Sequence, residues 1–126
     1  DRVHFPGYVP AETQAFWYNA ARAFAYISVY EGFGMPVLEA LACGVPTLTA
    51  STTSLPEVGG DAVVTAPPDD EAALTDALDR VVNDGALRAR LRQQGMRRVA
   101  VFSWREAAVK TAEVYRAVIE SQIRLD

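Results

Sequence analysis

Three short apolar runs constrain this chain more than any other feature. They are Ala23–Val29 (AFAYISV), Val45–Ala50 (VPTLTA) and Ala62–Thr65 (AVVT), and segments of helical period separate them. Each run is rich in β-branched or aromatic residues and ends near Gly or Pro, which marks a strand rather than a helix. Strands that alternate with helices through short connections pair in parallel, by right-handed crossovers. The expected fold is therefore α/β, a Rossmann-like parallel sheet flanked by helices. In open sheets of this kind ligands bind beyond the C-terminal ends of the strands. The loop after Val29 is such a place.

Punctuation fixes the remaining elements. Val3–Phe5 reads as a short strand closed by the Pro6-Gly7 turn, and residues 12–22 follow as a helix carrying Ala15, Phe16, Tyr18 and Ala20. Met35–Cys43 is a helix with Pro36 in its first turn, where Pro is tolerated, and Gly44 just past its end. Pro46 suits a strand start. Ser54 and Glu57 have the spacing of a capping box, opening a brief helix that stops at Gly59-Gly60. Pro67-Pro68 closes the third run, and Asp69 or Asp70 caps a helix over 71–82 with Leu74, Leu78 and Val81 on one face. A further helix covers about 84–101, and a second capping box, Ser103 with Glu106, starts a last helix to about 123. Trp17 and Tyr18 read as packing groups, Trp104 as the anchor of the last helix, and Cys43 as a small buried residue.

Composition narrows the function classes. At 126 residues the chain suits one domain, and half its residues are apolar, so a core is affordable without staples. One cysteine makes neither an internal disulfide nor a zinc site, and no apolar run approaches the ~18 residues of a membrane span. The expected setting is cytoplasmic, at most peripheral to the inner face of a membrane. Residues 1–79 hold eleven acids and two bases, whereas 80–126 hold ten bases and five acids. Arg88, Arg90, Arg92, Arg97 and Arg98 alternate with Ala, Leu and Gln and lack an aromatic platform, so they read as a solvated helix face rather than a nucleic-acid surface. Asp1–Phe5 resembles the edge of a strand with no natural start before it. A fragment of a longer protein is expected.

The segment with chemical content is Glu31-Gly32-Phe33-Gly34-Met35-Pro36-Val37-Leu38-Glu39. Glycines let backbone approach a ligand closely, and a helix beginning near Gly34 offers free N–H groups and partial positive charge to phosphate. Carboxylates accept hydrogen bonds from hydroxyls. Amides for phosphate beside carboxylates for hydroxyls describe a nucleotide-sugar pocket. A glycosidase pair would need two carboxylates around one bond and would give the glycine loop no role. A metal would want further ligands, and none adjoins. Two ordinary surface glutamates remain an alternative at this level.

The stretch YEGFGMPVLEALACGVPTLTASTTSLPEVGGDAV closely resembles the C-terminal domain of retaining GT-B glycosyltransferases of family 4, the glycosyl transferases group 1. Glu31 and Glu39 match that family's E-x7-E motif. VHFPGYVP upstream, and GVPTLTA, SLPEVGGDA and FSW downstream, fall in the family's order, so the resemblance covers nearly the whole chain. Ile27 departs from it, standing where the family usually has Pro.

The resemblance implies roles. Glu31 lies near the donor sugar and its phosphates and is the catalytic candidate. Glu39 binds the ribose hydroxyls. Backbone amides of Gly32, Phe33 and Gly34 approach the sugar, Met35 and Pro36–Val37 lie near the diphosphate, and the turn at Tyr8-Val9 holds the base. The donor is a nucleotide-diphosphate sugar of GDP-mannose or UDP-glucose type, with no separate cofactor and no metal. The acceptor, a sugar or lipid, is read by an N-terminal domain absent here, as are the family's diphosphate-gripping Arg and Lys. The fragment alone is expected to be inactive. A non-catalytic binding module that kept the fold is the alternative, and a nucleotide-sugar epimerase of related fold a weaker one.

Overall fold

The computed structural model describes residues 2–123. The elements are α1 (Ala11–Ala20), β1 (Phe24–Tyr26), α2 (Met35–Ala42), β2 (Thr47–Ala50), α3 (Leu55–Gly59), a 3-10 turn (Gly60–Ala62), β3 (Val63–Ala66), α4 (Glu71–Asn83), α5 (Gly85–Val99) and α6 (Trp104–Ile123). β2 lies between β1 and β3, and both pairings are parallel. Leu48 sits opposite Ala25 on one side and Val64 on the other. The α/β class and the parallel sheet flanked by helices are as the alternation of runs implies.

Two apolar clusters hold the sheet. Val37, Leu38 and Leu41 of α2 meet Leu55, Val58, Ala62, Val63 and Ala50 in one. Ala77 and Val81 of α4 and Leu87 and Leu91 of α5 meet Leu48 and Ala66 in the other. β2 is buried along its length because it has a strand on either side and helices around it. This explains why VPTLTA reads as a continuous run rather than an alternating one.

Several expectations need correction. Val3–Phe5 forms no strand: a three-residue run has no neighbouring strand to bond, and Phe5 is exposed. The run 23–29 contributes only Phe24–Tyr26 to the sheet, since the chain leaves β2 after the Tyr26–Thr49 pair. α1 starts one residue earlier and ends two earlier than its periodicity suggests, at Ala11 and Ala20. Leu74 and Val81 pack against the core as expected, but Leu78 is 43% exposed and Ala77 takes its place on the inner face of α4. Trp17 is half exposed and Trp104 is 82% exposed, so neither packs as a buried anchor. Cys43 is half-buried.

The helix starts are well specified. The Asp70 carboxylate accepts from the Ala73 amide at 3.0 Å, and that of Asp84 accepts from the Leu87 amide at 2.9 Å. The Ser103 hydroxyl takes the Glu106 amide at 3.5 Å, half of the expected box. Asp84→Ala is expected to cost about 1 kcal/mol, the scale of a lost cap. A urea midpoint equal to that of the parent chain would contradict this.

Candidate functional site

The loop after β1 is clasped by the loop after β2. The Thr52 hydroxyl donates to the Ser28 carbonyl at 3.3 Å, and the Glu31 amide donates to Thr53 Oγ1 at 3.1 Å. The Ser54 hydroxyl lies 3.0 Å from the carbonyls of both Glu31 and Phe33. Ser54 therefore makes no capping bond to its own helix, and the expected capping box at Ser54–Glu57 is absent. Thr53 has φ 52, an unfavourable backbone for a β-branched residue. Such strain is held only where surrounding contacts over-determine it. Here it aims the Thr53 hydroxyl at the Glu31 amide.

α2 begins at this clasp. Gly34 is its N-cap residue with φ 100 and ψ 50, and no side chain caps the helix. The Val37 amide is committed to the Gly34 carbonyl at 3.0 Å, and Pro36 has no N–H. Among the described residues, the amides of Gly32, Phe33, Gly34 and Met35 are not engaged by another group. Of the amides singled out in the sequence, these four can meet a ligand and Val37 is spent internally. They stand beside the positive end of the helix dipole.

Each glutamate is held by a tyrosine. The Tyr26 hydroxyl donates to Glu31 Oε1 at 2.6 Å, and the Tyr18 hydroxyl donates to Glu39 Oε2 at 3.0 Å. Phe24 lies between the two tyrosines, edge-on to Tyr18 at 5.3 Å and stacked with Tyr26 at 6.0 Å. The carboxylates thus sit at the two ends of one aromatic row, and each keeps a second oxygen for another donor. Burial, followed by the bond to Glu39, pushes the Tyr18 phenol up to about 12. The hydrogen bond to Glu31 is the main cause that raises Tyr26.

A raised phenol favours the protonated form in the folded chain. From pH 10 to about 12 the unfolded chain has released a proton that the folded one keeps, so stability falls as pH rises through this window. The phenolate absorbance lost on Tyr18→Phe is expected to titrate near 12. Glu39→Gln should lower that midpoint only in part, because burial is the larger cause. A Tyr18 midpoint at the ordinary 10.0 would refute the bond.

Other candidates are less tightly placed. Tyr8 is 88% exposed and Val9 half-buried, in the irregular segment before α1, and no hydrogen bond among the described residues ties them to the loop. Met35 is partly exposed and Phe33 packs edge-on against Phe102 at 5.8 Å. Sequence reasoning missed the roles of Tyr18, Tyr26, Thr52 and Thr53. The run Ser51-Thr52-Thr53-Ser54 directly after a strand was the available signal for the clasp. The arginine face also differs from the expectation: Arg88, Arg92 and Arg98 each donate to a backbone carbonyl rather than only to solvent.

The arrangement can receive phosphate on amides and hydroxyls on anchored carboxylates, at an open sheet edge. Among the described residues no helix is long and apolar enough to cross a membrane. Residues 1–98 match the family described as Glycosyl transferases group 1. The chain is 40% identical over 114 residues to O-antigen chain mannosyltransferase B of Escherichia coli, covering 90% of this chain and 30% of that protein. It is 35% identical over 123 residues to MMP alpha-(1->4)-mannosyltransferase of Mycolicibacterium hassiacum, covering 94% and 30%. Among solved structures, sucrose-phosphate synthase from Thermosynechococcus elongatus superimposes with a TM-score of 0.79 at 32% identity, over 95% of this chain and 31% of that one. The chain thus spans about 30% of the length of each of these two curated relatives, and its fold is that of a GT-B glycosyltransferase domain. With its family match extending over residues 1–98, this chain belongs to the glycosyl transferases group 1.

Proposed function

We propose that this chain is the donor-binding, C-terminal portion of a retaining GT-B glycosyltransferase of family 4, and that it binds a nucleotide-diphosphate sugar. The observation that carries the reading is the loop Gly32–Met35, with open amides, set between two glutamates that tyrosines hold in place. Glu39 Oε1 accepts from a ribose hydroxyl while Tyr18 holds Oε2. The amides of Gly32, Phe33 and Gly34 meet the sugar, and that of Met35 meets the diphosphate. Glu31 works on the sugar side, where its carboxylate sits next to the atoms that change bonding. Positive dipoles at the start of α2 stabilise the departing diphosphate, which leaves with the charge it gains. Tyr8 and Val9 are assigned to the base.

The donor is assigned as GDP-mannose or UDP-glucose type and the acceptor as a sugar or lipid; the mannosyltransferases among the relatives favour a mannosyl group. The acceptor is assigned to a part of the parent enzyme outside this chain. The chain alone is therefore expected to bind donor without transferring it.

Titration of the chain with GDP, UDP and ADP, followed by backbone amide shifts, tests the reading. Saturable shifts at residues 31–39, strongest for one base, are expected. Shifts that avoid this loop for all three at millimolar concentration would refute the donor assignment.

A further inference from the structure

At the end of the sheet opposite the motif loop lies a cleft of about 480 Å³ lined by Arg22, Arg88 and Arg92. Its place follows from Ala21, just before β1, and Pro46, just before β2, which both line it. Small residues, Gly85 and Ala89 among them, line it beside the arginines. The volume falls within the ~300–1,000 Å³ of small-molecule sites.

The three arginines are fixed in advance. Arg22 Nε donates to the Val82 carbonyl at 2.9 Å, Arg88 donates to the same oxygen, and Arg92 Nε donates to the Gly44 carbonyl at 3.0 Å. Each uses one N–H and keeps the rest of its donor fork. Two guanidinium groups on one carbonyl oxygen bring like charges together. Yet among the described residues the sole ion pair is Arg80–Asp76, so no carboxylate neutralises the three. Asp84, the acid nearest in sequence, spends its carboxylate on the Leu87 amide and does not line the cleft.

Pre-oriented, uncompensated guanidinium groups in a concave site match the planar, multiply charged geometry of phosphate. Ordering them costs a ligand little, because carbonyl anchors already hold them. We propose that this cleft binds a small, multiply charged phosphate compound of the size of pyrophosphate or a sugar phosphate. A helix-capping role explains one N–H per arginine. It does not account for three unpaired charges around one cavity.

Inorganic pyrophosphate, titrated into the chain at low salt and followed by amide shifts, is the test. Saturable shifts are expected at Ala21–Arg22 and Gly85–Arg92. Affinity should fall about tenfold in Arg22→Gln and in Arg92→Gln, each removing one charge-assisted contact. These two variants lose bonds to different carbonyls, so at least one is expected to keep the parent spectrum away from the cleft. The position of the shifts, at residues 21–22 and 85–92 rather than 31–37, separates this site from the donor loop. Shifts confined to residues 31–37, or non-saturating shifts equal in the parent and both variants, would overturn the proposal. So would arginine-dependent sedimentation with phosphatidylglycerol vesicles in the absence of any pyrophosphate shift, since that pattern marks a membrane surface.

Discussion

Gly34→Ala is expected to destabilise the chain by about 2–5 kcal/mol. Two costs combine. Gly34 has φ 100, where an L side chain is disfavoured by roughly 1–2 kcal/mol. A Cβ there would also lie 2.6 Å from Leu55 Cδ2, and overpacking of this kind costs about 1–3 kcal/mol. A flexible side chain at the surface would simply move aside. Leu55 is fully buried among Val37, Leu38 and Val58, so its methyl has nowhere to go without shifting α3. The loss is large against a typical total of about 5–15 kcal/mol. Gly32 is the control, because nothing lies within 4 Å of a Cβ built there. Urea denaturation should show a lowered midpoint for Gly34→Ala and little change for Gly32→Ala. Equal midpoints for the two variants would show that the close approach to Leu55 is not a constraint.

The order of elements was legible because each boundary carries its own chemistry. Asp70 accepts an amide at the start of α4, as its position just before the apolar period implies. Gly44 follows α2 with φ 68, and Pro46 precedes β2 where no ladder amide is required. The strand bounds were not legible, since they depend on partners. Ile27 and Val29 are β-branched strand formers as suited to a sheet as the aromatic Phe24 and Tyr26, but the ladder with β2 stops at the Tyr26–Thr49 pair and leaves them without strand partners. Val3–Phe5 fails for the same reason. The Leu74–Leu78–Val81 stripe misled only at Leu78, which satisfies the helical period while the packing of α4 uses Ala77 instead.

At the site, the glycine loop and both glutamates were legible from types and spacing alone. What the sequence hid is how they are held. Tyr18 and Glu39 are twenty-one positions apart and meet only because α1 packs near α2. Tyr26 is five positions from Glu31, yet its hydroxyl reaches the carboxylate because β1 ends and the loop doubles back. Ser54 shows a local rule losing to a tertiary one. Its spacing to Glu57 suits a capping box, but its hydroxyl serves the Glu31 and Phe33 carbonyls instead. Side chains that look like caps or packing groups in one dimension become the supporting shell of the loop in three.

Glu39→Ala is expected to weaken nucleotide-diphosphate binding by about 1–3 kcal/mol, the scale of a lost hydrogen bond to a charged group. The variant removes the acceptor assigned to ribose and leaves the Tyr18 hydroxyl without its partner. Tyr18→Phe separates these effects. It keeps the carboxylate but frees its orientation, and should cost a smaller amount, about 0.5–1.5 kcal/mol, as for an ordinary hydrogen bond. A loss caused only by disturbed packing would be the same for any nucleotide. A ribose contact would not, because the 2′-hydroxyl is part of it. The parent chain is therefore expected to prefer UDP over its 2′-deoxy counterpart, and Glu39→Ala to bind the two nearly alike. Tyr18→Phe should keep part of the preference. If Glu39→Ala retains the full discrimination against the deoxy form, Glu39 does not touch the ribose, and the carboxylate at this end of the aromatic row serves the fold instead.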